Sequence, residues 1–188
     1  MRGEIISAAR DLMAKAATAD EVSVRSVAAA AGVTAPSIYL HFADKQELIS
    51  AVVVDVFDEL DRAMVSASLS VADPLERLKA MGLAYVRFAI DYPEHYRLAT
   101  MDPCPRPDVD QMLAAGCFVH FREVVEECVD TAIFAPGDVT LLTIELWSAA
   151  HGIAALMVAK PDLPIGDPME IADRVLTASA IGHLASPS

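Results

Sequence analysis

The chain has 188 residues, 54% of them hydrophobic, and a formal net charge of −13. That length allows one sizeable core or a small module joined to a larger one, and the dominance of Ala, Leu and Val over Tyr, Thr and Ile excludes an all-β fold. A uniformly acidic surface would exclude a nucleic-acid partner, but residues 1–50 hold five Lys/Arg against six Asp/Glu, a net of −1, which leaves −12 on residues 51–188. A near-neutral N-terminal module can still present cations locally, while an acidic body limits non-specific sticking. Met1-Arg2-Gly3-Glu4 runs straight into an amphipathic pattern with no signal-peptide h-region, so a cytoplasmic location is expected. Cys104, Cys117 and Cys128 lack metal or redox spacing and are read as reduced thiols.

Residues 4 to 17 repeat apolar side chains at helical spacing (Ile5, Ala9, Leu12, Ala16) and predict a first helix with one buried stripe. Ser23 caps a second helix that ends near Ala31, where Gly32 supplies the left-handed closing conformation. Thr34 caps a short third helix holding Ser37, Ile38 and Tyr39. Asp44 and Glu47 form a capping box for a fourth, whose apolar run Leu48, Val52, Val56, Leu60 continues past residue 60. Further along, Asp73-Pro74 opens a helix that Tyr92-Pro93 ends or bends, and Pro103, Pro105 and Pro107 enclose a loop. Helical periodicity returns from about Asp108 to Phe134. Val139–Ala159 and a last helix opened by Asp167-Pro168 follow, separated by the Lys160–Gly166 breaker. The 21 residues from Val139 to Ala159 carry Glu145 as their only formal charge. Their length suits a membrane span, but His151, many small residues and the lack of a basic flank favour a buried central helix.

The informative stretch is Ser23 to Lys45. Two helices cross closely over a short turn when the first offers a small residue and the turn a glycine, and Ala28 and Gly32 provide these. Val27, Val33 and Ile38 then form a small shared core. Thr34 to Ser37 project outward, where a recognition helix offers its first residues to base edges. With Tyr39-Leu40-His41-Phe42 and Lys45, this stretch resembles the helix-turn-helix of the TetR family of regulators, a likeness covering about the first 50 residues. The resemblance implies phosphate contacts from Thr34, Tyr39, His41 and Lys45, and a groove-facing set of Arg25, Ala35, Pro36 and Ser37; Ser23 completes the DNA-facing residues. Arg25, the long cation of that set, is the candidate for a bidentate guanine contact, and Ala35 and Pro36 offer only apolar contact. Singly, Tyr39 also reads as a half-buried helix residue, His41 as a surface imidazole and Lys45 as a solvated end to a turn.

In TetR-like proteins this module precedes a larger helical domain that binds a small molecule and dimerises, which the length and helix content of the remaining chain suit. Tyr85-Val-Arg-Phe88, Pro93-Glu-His-Tyr96 and Trp147-x-x-x-His151-Gly152 resemble the C-terminal subclass named after its Trp-His-Gly motif. Met81, Tyr85, Phe88 and Tyr92 fall on one stripe at about 100° per residue. They form either core or the wall of an apolar cavity, with Phe121 as a further lining residue and Trp147 and His151 opposite. His151 reads equally as a satisfied core histidine. Cys117, His120, Glu123 and Glu127 share helical spacing but describe an amphipathic helix with a solvated edge, so no metal is expected. No cofactor is expected either, and the absence of a nucleophile elbow, phosphate loop or zinc-protease helix argues against an enzyme.

The expected fold is all-α, with about nine helices: an N-terminal three-helix DNA-binding bundle over residues 1–50, its helix-turn-helix at about 24–43, and a larger ligand-binding and dimerisation domain over 51–188. The expected function is a ligand-responsive transcriptional regulator, by default a repressor. Its partners would be a palindromic duplex operator, a small apolar effector and a second copy of itself, with no membrane involved. The dimer is expected on the last two helices, where Ala149, Ala150, Ala154, Ala155, Ala178, Ala180 and Gly182 permit close approach. The competing reading is a small-molecule-binding helical protein whose DNA affinity is weakened or lost.

Overall fold

The computed structural model describes residues 1–16, 18–101, 116–164 and 166–185. Among the described residues there are nine α-helices and no strand beyond an isolated bridge between Phe134 and Leu184. They divide into two compact units, one within Met1–Phe57 and Glu94–Asp108, the other within Asp58–Pro93 and Val109–Ser188. Cys104 and the loop expected around Pro103, Pro105 and Pro107 lie outside the described residues, as does the expected helical start at Asp108.

The first unit contains α1 (Arg2–Lys15), a 3-10 turn (Ala19–Glu21), α2 (Val24–Ala30), α3 (Ala35–Ile38), the first part of α4 (Lys45–Ser68) and most of α6 (Pro93–Thr100). Ile5, Ala9 and Met13 recur at four-residue spacing, so α1 buries one face against Val27, Ile38, Phe42, Leu48, Val52 and Leu98. α2 ends as its glycine requires. Gly32 has φ +67°, its N–H donates to the Ala29 carbonyl at 3.3 Å, and the Val33 N–H donates to that of Ala28 at 2.9 Å. Those two bonds satisfy the last carbonyls of the helix and turn the chain towards α3. At α4 the Asp44 carboxylate accepts from the Glu47 N–H at 2.8 Å, while Glu47 accepts from the Ala43 N–H at 2.6 Å, one residue earlier than a capping box would place it. Thr34 sits at the N-cap of α3 without capping it through its side chain. Its hydroxyl pairs instead with that of Ser37 at 2.7 Å.

The second unit holds the rest of α4 with α5 (Pro74–Asp91), α7 (Gly116–Asp130), α8 (Val139–Ala159) and α9 (Pro168–Ile181). Asp73, Asp138 and Asp167 cap α5, α8 and α9, each accepting from a backbone N–H of the first turn. α8 packs against α5, α7 and α9, and its buried residues include Thr143, Leu146, Ala150, Ile153, Ala154 and Met157. Ala150 and Ala154 therefore face their own chain rather than the dimer face expected for them. At the crossing of α5 and α9, a methyl on Gly82 would stand 3.0 Å from a Leu176 methyl, so the absent side chain sets the helix approach. Ion pairs Arg77–Glu127 (2.7 Å) and Lys79–Asp173 (2.6 Å) flank α5.

Two expected boundaries move. α7 stops at Asp130 rather than Phe134, because Ala132 takes φ 56° and the Ile133 and Phe134 N–H groups both turn back to the Cys128 carbonyl. Phe134 is still fully buried, delivered by a turn instead of a helix. Tyr92 has left the helix, with φ −131° and ψ 59°, because the following Pro93 disfavours helical geometry in the residue before it. It is 48% exposed while Met81, Tyr85 and Phe88 are buried, so the expected four-residue stripe is a stripe of three with an exposed end.

Gly32→Ala should destabilise the protein by about 1–2 kcal/mol, the cost of a left-handed alanine, since the added methyl would meet nothing within 4 Å. Urea denaturation of the two proteins measures this; equal midpoints would remove the role given to the glycine.

Candidate functional site

α3 is a single helical turn, yet it presents a defined surface because both of its flanks are pinned. Ile38 and Phe42 are each 1% exposed, and they point into the core from the same turn that exposes Pro36, Tyr39 and Leu40. Among the predicted DNA-facing residues, Ser23, Arg25, Thr34, Pro36 and Tyr39 are exposed, and Ala35, Ser37, His41 and Lys45 are half-buried. Ser23 accepts the Ser26 N–H at 3.0 Å, which fixes the first turn of α2 from which Arg25 projects. The Arg2 guanidinium stacks over the Phe42 ring, 5.0 Å from its centroid. Lys45 is not a loose end. Its ammonium donates to the Asp20 carbonyl and lies 3.7 Å from the Asp20 carboxylate. The Nε2 of His41 is buried without a hydrogen-bond partner among the described residues.

In the second unit the Tyr85 hydroxyl lies 3.0 Å from Nδ1 of His151, whose ring is 5.3 Å from that of Trp147. Phe118 meets Trp147 edge-on at 6.5 Å, and Phe88 lies 5.3 Å from Tyr92. Tyr85, Trp147 and His151 are thus brought together, with a fourth ring that the sequence reading missed. Burial lowers the His151 pKa below its ordinary 6.5. Phe121 is placed elsewhere. It lines a cavity of about 100 Å³ with Leu78, Gly82, Leu146, Leu176 and Leu184, and the described lining of that cavity does not include Met81, Tyr85, Phe88, Trp147 or His151. That cavity was invisible in the sequence because its wall mixes leucines with small and polar residues contributed by separate helices.

Cys117 and Cys128 are buried free thiols, pushed up to about 12 and about 11 mainly by desolvation. Within the row Cys117, His120, Glu123 and Glu127, His120 hydrogen-bonds Asp61 of α4 at 2.8 Å and Glu127 pairs with Arg77 of α5.

Residues 5–52 match the profile of bacterial regulatory proteins of the tetR family, and residues 78–179 match the tetracyclin repressor-like C-terminal domain. The chain belongs to the TetR family. Members are regulators of transcription that bind DNA and small-molecule ligands and typically act as dimers, and this chain is a transcription regulator of that family. Solved structures share its fold over nearly the whole length. A TetR-family regulator from Shewanella sp. PV-4 is 16% identical with a TM-score of 0.79, covering 98% of each chain. A Rhodococcus sp. RHA1 protein of unknown function is 26% identical with a TM-score of 0.80, covering 98% of this chain and 95% of that one. FadR from Bacillus subtilis, solved with stearoyl-CoA, is 16% identical with a TM-score of 0.80, over 97% and 99%. None of the curated proteins matches.

The regulator's stability should respond to acid through His151. With its folded pKa lowered, the unfolded chain binds the proton more readily, so stability falls as pH drops through 6.5 towards the folded value. His151→Gln should flatten that part of the profile. Denaturation midpoints between about pH 8 and about pH 5 read the difference, and identical profiles would remove the contribution.

Proposed function

We propose that this regulator is a cytoplasmic repressor that holds a near-palindromic operator as a homodimer and releases it when a small, largely apolar effector enters its C-terminal part. Residues 1–50 read DNA and residues 51–188 bind effector and dimerise. The observation that carries the DNA-reading surface is the division of α3: Ile38 and Phe42 lock the turn from below, while Pro36 and Tyr39, with Arg25 and Thr34 beside them, stay open to solvent. In this reading Arg25 contacts a base, Ala35, Pro36 and Ser37 approach the groove, and Ser23, Thr34, Tyr39, His41 and Lys45 meet the backbone. Two such modules in a dimer meet half-sites roughly 34–36 Å apart or a multiple of it.

The effector site is assigned to Met81, Tyr85, Phe88, Tyr92, Trp147 and His151, with Phe121 on the neighbouring cavity. The rings supply apolar surface, and the Tyr85–His151 hydrogen bond is the polar anchor. The likeness of Trp147, His151 and Gly152 to the Trp-His-Gly subclass belongs to the same proposal. The stearoyl-CoA held by FadR, a protein of similar fold, supports an effector with a large apolar part.

Tyr39→Ala and Lys45→Ala should weaken binding to every duplex, whereas Arg25→Ala should also relax preference at one base pair, by about 1–3 kcal/mol of discrimination. Footprinting on the DNA upstream of the coding sequence, followed by titration of the variants, tests this. Parental affinity in all three would refute the surface.

Phe88→Ala and Trp147→Phe should alter effector affinity and leave operator binding of the free protein nearly intact. Thermal-shift screening with small aromatic and acyl compounds identifies an effector, and variant affinities then locate it. Unchanged affinity in both would move the site elsewhere.

A further inference from the structure

Lys45 opens α4 on the DNA-facing side of the first unit, and its ammonium is occupied. It donates to the backbone carbonyl of Asp20 and lies 3.7 Å from the carboxylate of the same residue. Asp20 sits in the 3-10 turn between α1 and α2, and the same carboxylate accepts from the Gln46 side-chain amide at 3.3 Å. The pair is asymmetric in exposure. The Asp20 side chain is 66% exposed and the Lys45 side chain 28%. Its anion is therefore hydrated and ready to be displaced, while the lysine is held in one place.

We propose that Asp20 is an internal stand-in for a DNA phosphate: its carboxylate neutralises Lys45 in the free protein, and duplex binding exchanges that carboxylate for a phosphate oxygen. The inference rests on the reading of Lys45 as a phosphate contact. Two consequences follow from charge alone. The lysine is pre-positioned by the Asp20 carbonyl, which remains available after the exchange, so it enters the complex with little loss of side-chain freedom. The displaced carboxylate must then recruit a cation, which cancels part of the ion release that Lys45 would otherwise contribute. Asp20 thereby holds down affinity for arbitrary DNA and softens its dependence on salt. The effect is sequence-independent, so Asp20 lowers affinity for every duplex by a similar factor and leaves the discrimination made by base contacts unchanged.

Asp20→Asn removes the charge and keeps both the backbone carbonyl and an oxygen for Gln46. Glu21→Gln removes an equally negative, exposed neighbour and serves as the control, since the ion pair and hydrogen bond of Lys45 are with Asp20. Binding of each to a fluorescent duplex of mixed sequence is measured across about 50 to 200 mM salt, with melting curves to show that the variants are folded. Asp20→Asn should bind about two- to fivefold more tightly, the range of an exposed ion pair, with a log–log salt slope steeper by a part of the roughly 0.9 that one phosphate contact contributes. Glu21→Gln should change neither by as much. In the Lys45→Gln background the effect of Asp20→Asn should largely vanish. Equal gains from the two single variants would reduce Asp20 to part of the general acidic field and overturn the proposal. So would persistence of the gain without Lys45. If Lys45→Gln itself binds like the parent, the phosphate contact is wrong and the proposal falls with it; if Lys45→Gln weakens binding while Asp20→Asn does nothing, only the stand-in role is lost.

Discussion

The reading surface depends on the burial of two side chains, Ile38 and Phe42. A helical turn of four residues has no stability of its own, because nucleation costs more than its few hydrogen bonds return. α3 exists because Ile38 and Phe42 anchor it from beneath against α1, α2 and α4, and because the backbone reaches it through the left-handed Gly32. Truncating either anchor would cost about 2–5 kcal/mol and would free the turn that carries Pro36 and Tyr39. The proposed reading surface is thus held by apolar packing from beneath it.

Electrostatics explains how so acidic a chain can meet a polyanion. Several cations of the first unit are held in place: Arg2 lies over Phe42, Arg10 is bonded to Asp55 at 2.9 Å, and Arg97 donates to the Ala16 carbonyl at 3.0 Å. Arg25 is the exposed cation next to α3. A small number of placed cations, rather than a basic field, favours selective over indiscriminate binding.

In the second unit, aspartate caps, charged pairs and one glycine set the helix positions, and the aromatic cluster runs from the buried Tyr85 to the half-buried Phe118, Trp147 and His151. An effector acts only through unequal affinity for two states of the protein, so a site built from rings that touch, such as Tyr85, Trp147 and His151, can respond to an occupant by repacking. The cavity lined by Phe121 is formed by a different set of residues, from Leu78 and Gly82 to Leu176 and Leu184.

Much was legible in the residues themselves. Helix periodicity, the aspartate and proline starts, and the Ser23–Lys45 pattern are local, and local signals survive in a one-dimensional reading. They located the helix-turn-helix, the full extent of α8 and the outward set at α3. What the sequence could not supply was pairing at a distance. Asp20 against Lys45 is separated by 25 residues and Tyr85 against His151 by 66. The same holds for the inward turn of Ala150 and Ala154, for Tyr92 leaving its helix, and for Phe134 reaching the core from a turn. Periodicity tells which face of a helix is apolar, but which neighbour covers that face is chosen by packing, where volume and hydrogen-bond geometry across several helices are satisfied together.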